Sequence, residues 1–221
     1  LSVLILSGAF FNRQDIAARR SLFMPVNRSV PDVAQKRKDW NGLISGFKAS
    51  DLVFLDESGC NTDMTRRYAY SLGGSRSVDS APLSKPKNTT ILSSIQLDGT
   101  LRYTTFSGGT TVERFKRYLE TDLLPHLNGN SVLIMDNMKS HHAKAVRNLL
   151  DSSEIRYIYL PPYSPDLNPI EKLWSKVKAF LRKFKARTLD ALPNAIQCAF
   201  QTVSPSDCSG WFHSCGYSPY F

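Results

Sequence analysis

The run LPPYSPDLNPIEKLW, Leu160 to Trp174, limits the fold most tightly, because it holds a strand end, a proline-stiffened turn and a helix start in one short stretch. Asn168 is a favoured helix cap, Pro169 suits the first helical position with its φ preset and no N–H to lose, and Glu171 then falls at the third. Two readings of Glu171 stay open at this point. A Glu three residues after an Asn cap can fold back onto the cap's own N–H as a capping box. The helix N-terminus also favours an ionised acid, so the same carboxylate can hold a hard cation if other carboxylates converge on it.

The strand that leads into this run, IRYIYL, follows a short helix over Ala143–Leu150 with Ala145, Val146, Leu149 and Leu150 inward. Before that, Val132 to Met135 is a continuous apolar run, the mark of a strand covered on both faces, and it ends on Asp136. An earlier apolar strand, DLVFLDESG, ends on Asp56 and Glu57 just before Ser58-Gly59. Between them, NTTILSSIQLDGTLRYTTFSGG reads as a hairpin about Asp98-Gly99. Thr110 to Glu113 reads as a capping box opening a helix with Val112, Phe115, Leu119 and Leu123 inward. Near the start, Trp40, Leu43, Ile44 and Phe47 form the apolar stripe of a helix that opens at about Ser29. The order predicts an α/β fold, a mixed sheet with an antiparallel hairpin and parallel strands, flanked by helices.

Ligands in such folds bind beyond the carboxyl ends of parallel strands, where Asp136 and Asp56 are expected. A single loop acid is ordinarily just solvated; three on one rim repel each other unless cations neutralise them. All-oxygen ligands suit Mg²⁺ or Mn²⁺, and two such ions can support in-line phosphoryl displacement. The net charge of +9 points to a polyanionic partner, and no apolar run approaches the length of a membrane span. The four cysteines form no CxxC pair and have no matched His spacing, which argues against zinc and against a disulfide framework, and fits a reduced cytoplasmic setting.

LDESG at Leu55–Gly59, MDNMKSHH at Met135–His142 and LPPYSPDLNPIEKLW together resemble the Asp-Asp-Glu transposases of the mariner superfamily, in particular the bacterial insertion-sequence branch. The 34 residues between Asp136 and Glu171 match that group's spacing, and the similarity runs from about Trp40 to the GWFHSCGY near the C-terminus. The resemblance implies a ribonuclease-H-like catalytic domain that cuts DNA at transposon ends and joins the exposed 3′-hydroxyl to target DNA. It places Asp56, Asp136 and Glu171 as catalytic residues holding Mg²⁺ or Mn²⁺, with two ions expected. Glu57 and Asp166 lie beside the motif acids without taking the catalytic positions. It further implies a homodimer, because two ends must be brought together, and a cytoplasmic protein associated with the nucleoid when bound to DNA. Two other readings remain: a nuclease of the same fold that only hydrolyses, and an inactive or repurposed DNA-binding fragment.

Relatives carry helix-turn-helix modules ahead of the catalytic domain, and nothing before Ser29 gives such a pair of helices. Residues 1–48 are therefore expected to be an arm, the remnant of a truncated DNA-binding region, and 49–221 the catalytic domain. The apolar N-terminal LSVLILSGAFF reads as such a remnant or as a buried strand, since it lacks the basic start of a signal peptide.

On the last predicted helix, Ile170, Leu173, Trp174, Val177, Leu181 and Phe184 form the expected core stripe. Ser175, Lys178 and Arg182 follow Glu171 on its own side, so Lys178 and Arg182 are candidate phosphate contacts, against the reading of a solvated basic face. Lys172, Lys176, Lys183 and Lys185 are expected to act only through general attraction. Arg66, Arg67, Lys139, His141 and His142, in loops near the first two acids, are further candidate DNA contacts. Adjacent histidines cannot easily chelate one ion, which sets zinc aside for His141 and His142.

Overall fold

Alternation along two short apolar strands builds the centre of the molecule. The computed structural model describes residues 31–65 and 87–217, the single positions Arg76, Val78 and Ser80, and the backbone of a short antiparallel pair, β1 (Ile5–Leu6) and β2 (Ala9–Phe10). The rest of the expectation for the N-terminal run, and Arg66 and Arg67, lie outside the described residues. Strands β3 (Leu52–Cys60) and β6 (Val132–Met135) lie parallel, and every residue of β6 is buried. Phe54 and Ile134 face one side of the sheet, Val53, Leu55, Leu133 and Met135 the other, so each face carries its own apolar layer.

The hairpin forms as predicted, with β4 (Thr89–Gln96) and β5 (Leu101–Ser107) antiparallel and Gly99 at φ +93° in the turn. A side chain there would also meet Pro205, whose Cα lies 3.0 Å from the position of a Cβ. With β7 (Arg156–Tyr159) the sheet order is β5-β4-β3-β6-β7, antiparallel on the hairpin side and parallel on the other. Helices α2 (Val112–Tyr118) and α3 (Lys144–Ser152) cover one face. Helices α4 (Ile170–Phe184), α5 (Ala191–Gln201) and α6 (Pro205–Ser214) cover the other, with Trp40 of α1 (Pro31–Ile44) in the same core. This is the mixed, helix-flanked sheet expected from the sequence.

Several local expectations need correction. The α2 cap is Thr111, whose hydroxyl accepts from Arg114 N–H, one residue later than the capping box predicted from Thr110. Ala145 is exposed, and the inward residues of α3 are Val146 and Leu150 with Leu149 partly covered. Leu43 is exposed in α1, where Val33 and Trp40 are the buried pair. Phe184 is exposed at the end of α4, where the chain turns out through Lys185 in the left-handed conformation, and it stacks on Phe180 instead of entering the core.

The C-terminal segment reaches back to the loop that carries Glu171. Trp40 Nε1 donates to Tyr217 Oη at 3.2 Å, and that hydroxyl donates to the Leu167 carbonyl at 2.6 Å. Arg37 ties the same loop through an ion pair to Asp166 at 2.7 Å and a hydrogen bond to Ser164. Tyr217→Phe leaves the buried indole N–H and the carbonyl unpaired, which costs about 1–3 kcal/mol. The expected result is a lower urea midpoint at unchanged slope.

Candidate active site

Three elements bring the predicted acids together. Parallel pairing of β3 with β6 ends at Leu55 opposite Met135, so Asp56 and Asp136 are the next residues on adjacent chains. β3 itself continues to Cys60, held by β4 with Asp56 opposite Ser93. Asp56 is thus inside a strand, at the point where its parallel neighbour stops, and not at the strand end the sequence suggested. Glu171 comes from the first turn of α4, and all three line one open cleft of about 570 Å³ with Asn137, Pro161 to Pro165 and Asn168.

The capping-box reading of Glu171 fails. Asn168 has extended dihedrals and Pro169 helical ones, as expected of a cap and first position, but no side chain caps this end. Buried Asn168 Oδ1 has no hydrogen-bond partner among the described residues. Glu171 stays solvent-accessible. Partial desolvation in the cleft raises its pKa, Lys178 pulls it down and Asp136 pushes it up again, with a net rise where the helix dipole alone would give a fall.

Asp56 is nearly buried, with Oδ1 accepting from Glu57 N–H at 2.7 Å and Oδ2 from Trp174 Nε1 at 3.2 Å. Burial pushes its pKa up to about 7; the Glu57 N–H opposes this, and the charges of Asp136, Glu171 and Glu57 add to it. Asp136 behaves oppositely. Burial would raise it, but bonds from His141 and Met138 N–H outweigh burial and hold it below the ordinary carboxylate range.

His141 is fully buried, and its ring lies between Asp136 Oδ1, 2.8 Å from Nδ1, and Glu57 Oε1, 3.1 Å from Nε2. Burial alone would lower its pKa; the bonds to the two carboxylates prevail and raise it to about 10. This corrects the assignment of His141 as a DNA contact, since no phosphate reaches a ring enclosed by Phe115, Glu57 and Asp136. Glu57, Asp136 and His141 are close enough to suggest a metal site of their own, but both ring nitrogens are engaged with carboxylates and neither offers a lone pair. His142 is half-buried and stacks on Tyr159 at 4.0 Å, while Lys139 is exposed in the loop after Asp136.

Lys178 and Arg182 are half-buried on α4, and Lys178 is near enough to Glu171 to shift its titration. Lys176 is not a general attractor. It is ion-paired at 2.6 Å to Asp207, whose carboxylate also accepts from the Ser204 N–H in the capping box of α6. Glu57 lines the cleft beside the acids, in the supporting place the sequence gave it, whereas Trp174 and His141, buried behind the cleft and bonded to Asp56 and Asp136, are supports that the sequence left in other roles. Of these two, Trp174, three positions after Glu171 on the sheet-facing side of its helix, carried a signal that could have placed it beside Asp56.

The donor set suits a hard divalent cation. The cleft gathers carboxylate oxygens, raises the proton affinity of Asp56, and contains buried Glu57 Oε2 and Asn168 Oδ1 without partners among the described residues.

Residues 51–193 match the family model described as DDE superfamily endonuclease. The chain belongs to the DDE superfamily endonuclease family. The Transposable element Tc1 transposase of Caenorhabditis elegans is 28% identical over 97 residues, covering 42% of this chain and 36% of that protein. The DDE fold also aligns with a pre-cleavage Mos1 transpososome at TM-score 0.73 and 18% identity, over 90% of this chain and 64% of that one. A Mos1 mariner paired-end complex with Mn gives TM-score 0.75 at 18% identity, covering 90% and 63%. For the catalytic domain of Mos1 mariner transposase the values are 0.66 and 17%, covering 86% and 91%. This DDE chain spans about a third of the Tc1 protein and under two thirds of the Mos1 chains in the complexes. Among its described residues no helix is long and apolar enough to cross a membrane.

Proposed function

We propose that this chain is the catalytic domain of a mariner-superfamily transposase, which cuts DNA at the ends of its element and joins the freed 3′-hydroxyl to target DNA. The observation that carries this reading is the convergence of Asp56, Asp136 and Glu171 from two adjacent strands and a helix start on one cleft. The 34-residue interval from Asp136 to Glu171 supports a place in the bacterial insertion-sequence branch. The catalytic unit begins at about residue 49, with α1 docked on it through Trp40.

Asp56, Asp136 and Glu171 would hold Mg²⁺ or Mn²⁺, two ions in all. When bound, such ions activate a water or 3′-hydroxyl and stabilise the leaving oxygen of a phosphodiester. The chain's own part is to fix the acids. Trp174 and the Glu57 N–H orient Asp56, His141 orients Asp136, and the Tyr217–Leu167 bond steadies the loop before Glu171. DNA is the substrate that the net charge of +9 favours, with a homodimer bringing two ends together and the nucleoid as the place of action.

The deciding experiment follows a labelled DNA carrying the element's ends with Mg²⁺ or Mn²⁺, scoring cutting and joining separately. Cutting and joining together support the transposase, and cutting alone would make the protein a nuclease of the same fold. No reaction by folded, DNA-binding protein would overturn the enzymatic reading.

Lys178, Arg182, Lys139 and His142 remain the proposed DNA contacts. Replacing both Lys178 and Arg182 with Ala removes two phosphate contacts, so the slope of log K against log salt becomes shallower by about 1.8. An unchanged slope in a binding titration would remove both residues from the interface.

A further inference from the structure

A three-acid site leaves Glu57 unused, although it faces the same cleft. Alternation along β3 turns it away from Asp56 and towards the α2 side of the sheet, where it meets His141. The His141 ring is fully buried and stacked on Phe115 at 4.2 Å, and its carbonyl accepts from Tyr159 Oη at 3.0 Å. Its Nδ1 meets Asp136 Oδ1 at 2.8 Å while Nε2 meets Glu57 Oε1 at 3.1 Å. Met138 N–H also donates to Asp136 Oδ1, at 2.9 Å. Asp136 Oδ1 therefore has two donors, whereas among the described residues no hydrogen bond reaches Oδ2.

We infer that the buried Glu57–His141 pair is a positioning device that occupies Asp136 Oδ1 and makes the carboxylate present Oδ2 alone to a cation in the cleft. This rests on the reading of Asp136 as a cation ligand. Glu57 adds a second hold on the ring at Nε2, against rotation about its bond to Cβ, so that losing this bond alone weakens the device without abolishing it. One-oxygen binding matters for ion choice. Mg²⁺ and Mn²⁺ prefer octahedral, single-oxygen carboxylate contacts, whereas Ca²⁺ accepts the narrow bite of a two-oxygen carboxylate.

The two ring nitrogens can be tested separately, since an Asn amide nitrogen replaces Nδ1 in space and a Gln amide nitrogen replaces Nε2. Mn²⁺ and Ca²⁺ binding is measured by calorimetry on the wild-type protein, His141→Asn and His141→Gln, without DNA. His141→Asn keeps the donor to Asp136 and should bind Mn²⁺ within about threefold of wild type, whereas His141→Gln should lose about tenfold or more. Ca²⁺ affinity in His141→Gln should fall less, so the preference for Mn²⁺ narrows. A space-filling role alone predicts that both variants change alike, and that outcome overturns the inference.

If the variants do not fold, a crystal structure of wild-type protein with Mn²⁺ decides. Asp136 binding through Oδ2, with Oδ1 still on His141, supports the device, and two-oxygen binding or a displaced His141 overturns it. Failure of the underlying reading looks different, because then the wild-type protein binds neither ion and Asp136 touches none in the crystal.

Discussion

Replacing Glu171 with Gln is expected to abolish metal-dependent cutting and joining, by about 10³-fold or more, while leaving the protein folded and bound to DNA. A thousandfold loss corresponds to about 4 kcal/mol of barrier at 1.36 kcal/mol per tenfold. On the proposed function, that size is reasonable for removing one charged group from a site that would act mostly by electrostatic stabilisation of a phosphoryl transition state. The fold should be indifferent to the change. Glu171 caps nothing, is open to solvent, and carries a raised pKa in a cleft shared with Asp136 and Asp56, so neutralising it relieves repulsion. Asp136→Asn is a poorer probe of the same point, because it also removes the negative charge that the buried His141 ring is bonded to, so chemistry and folding would change together. Thermal melting and DNA binding of Glu171→Gln, measured beside the joining assay, separate chemistry from folding. Joining at wild-type rate would remove Glu171 from the reaction.

The sequence revealed the acids more readily than what holds them. Val132 to Met135 could be placed because a strand buried on both faces is uniformly apolar, and the hairpin because Asp98-Gly99 supplies the positive φ its turn needs. Asp56 was placed near the right rim for a partly wrong reason. The polar DESG that follows LVFL reads as a loop, yet it continues as strand because β4 still pairs with it after β6 has ended. His141 was misplaced because two adjacent histidines after a lysine and a serine look solvated, while its burial comes from Phe115 and Glu57, residues distant in sequence. Lys176 and Phe184 show the same limit on α4. A helical wheel gives their faces, but Asp207 from α6 and the left-handed turn at Lys185 decide what they do. The carboxylates thus followed from local pattern together with the family resemblance, and their support from long-range packing that local pattern does not encode.

Asp56→Asn is expected to make the cation-free protein more stable at pH 8 and catalytically dead. Asp56 has its pKa raised from an ordinary 3.8 to about 7, with burial the largest cause and the neighbouring acids adding to it. A raised carboxyl pKa means that the folded state binds the proton more tightly than the unfolded chain does. The contribution is fully present below about pH 4 and is lost as pH rises through about 7. A shift of about three units corresponds to about 4 kcal/mol by pH 8, at 1.36 kcal/mol per unit. The Asn variant escapes that loss, but its amide accepts only at its oxygen, so one of the bonds from the Glu57 N–H and Trp174 Nε1 is lost, which costs about 1–2 kcal/mol. The net gain at pH 8 is about 2 kcal/mol, or about 5 °C in melting temperature for a chain of this size. At pH 5, about one unit above the ordinary value, the penalty has fallen to about 1–2 kcal/mol and the two proteins should be about equally stable, whereas at pH 4 the penalty is nearly gone and the variant should be the less stable of the two. Mg²⁺ should reverse the order at pH 8, since binding stabilises only the protein that retains its ligand, and it competes with the proton so that the wild-type gain grows from pH 6 to pH 8. Melting curves of both proteins at three pH values, with and without Mg²⁺, test each step. A variant less stable than wild type at every pH, with or without the ion, would mean that burial does not strain Asp56 and that the cleft does not store repulsion for a cation to relieve.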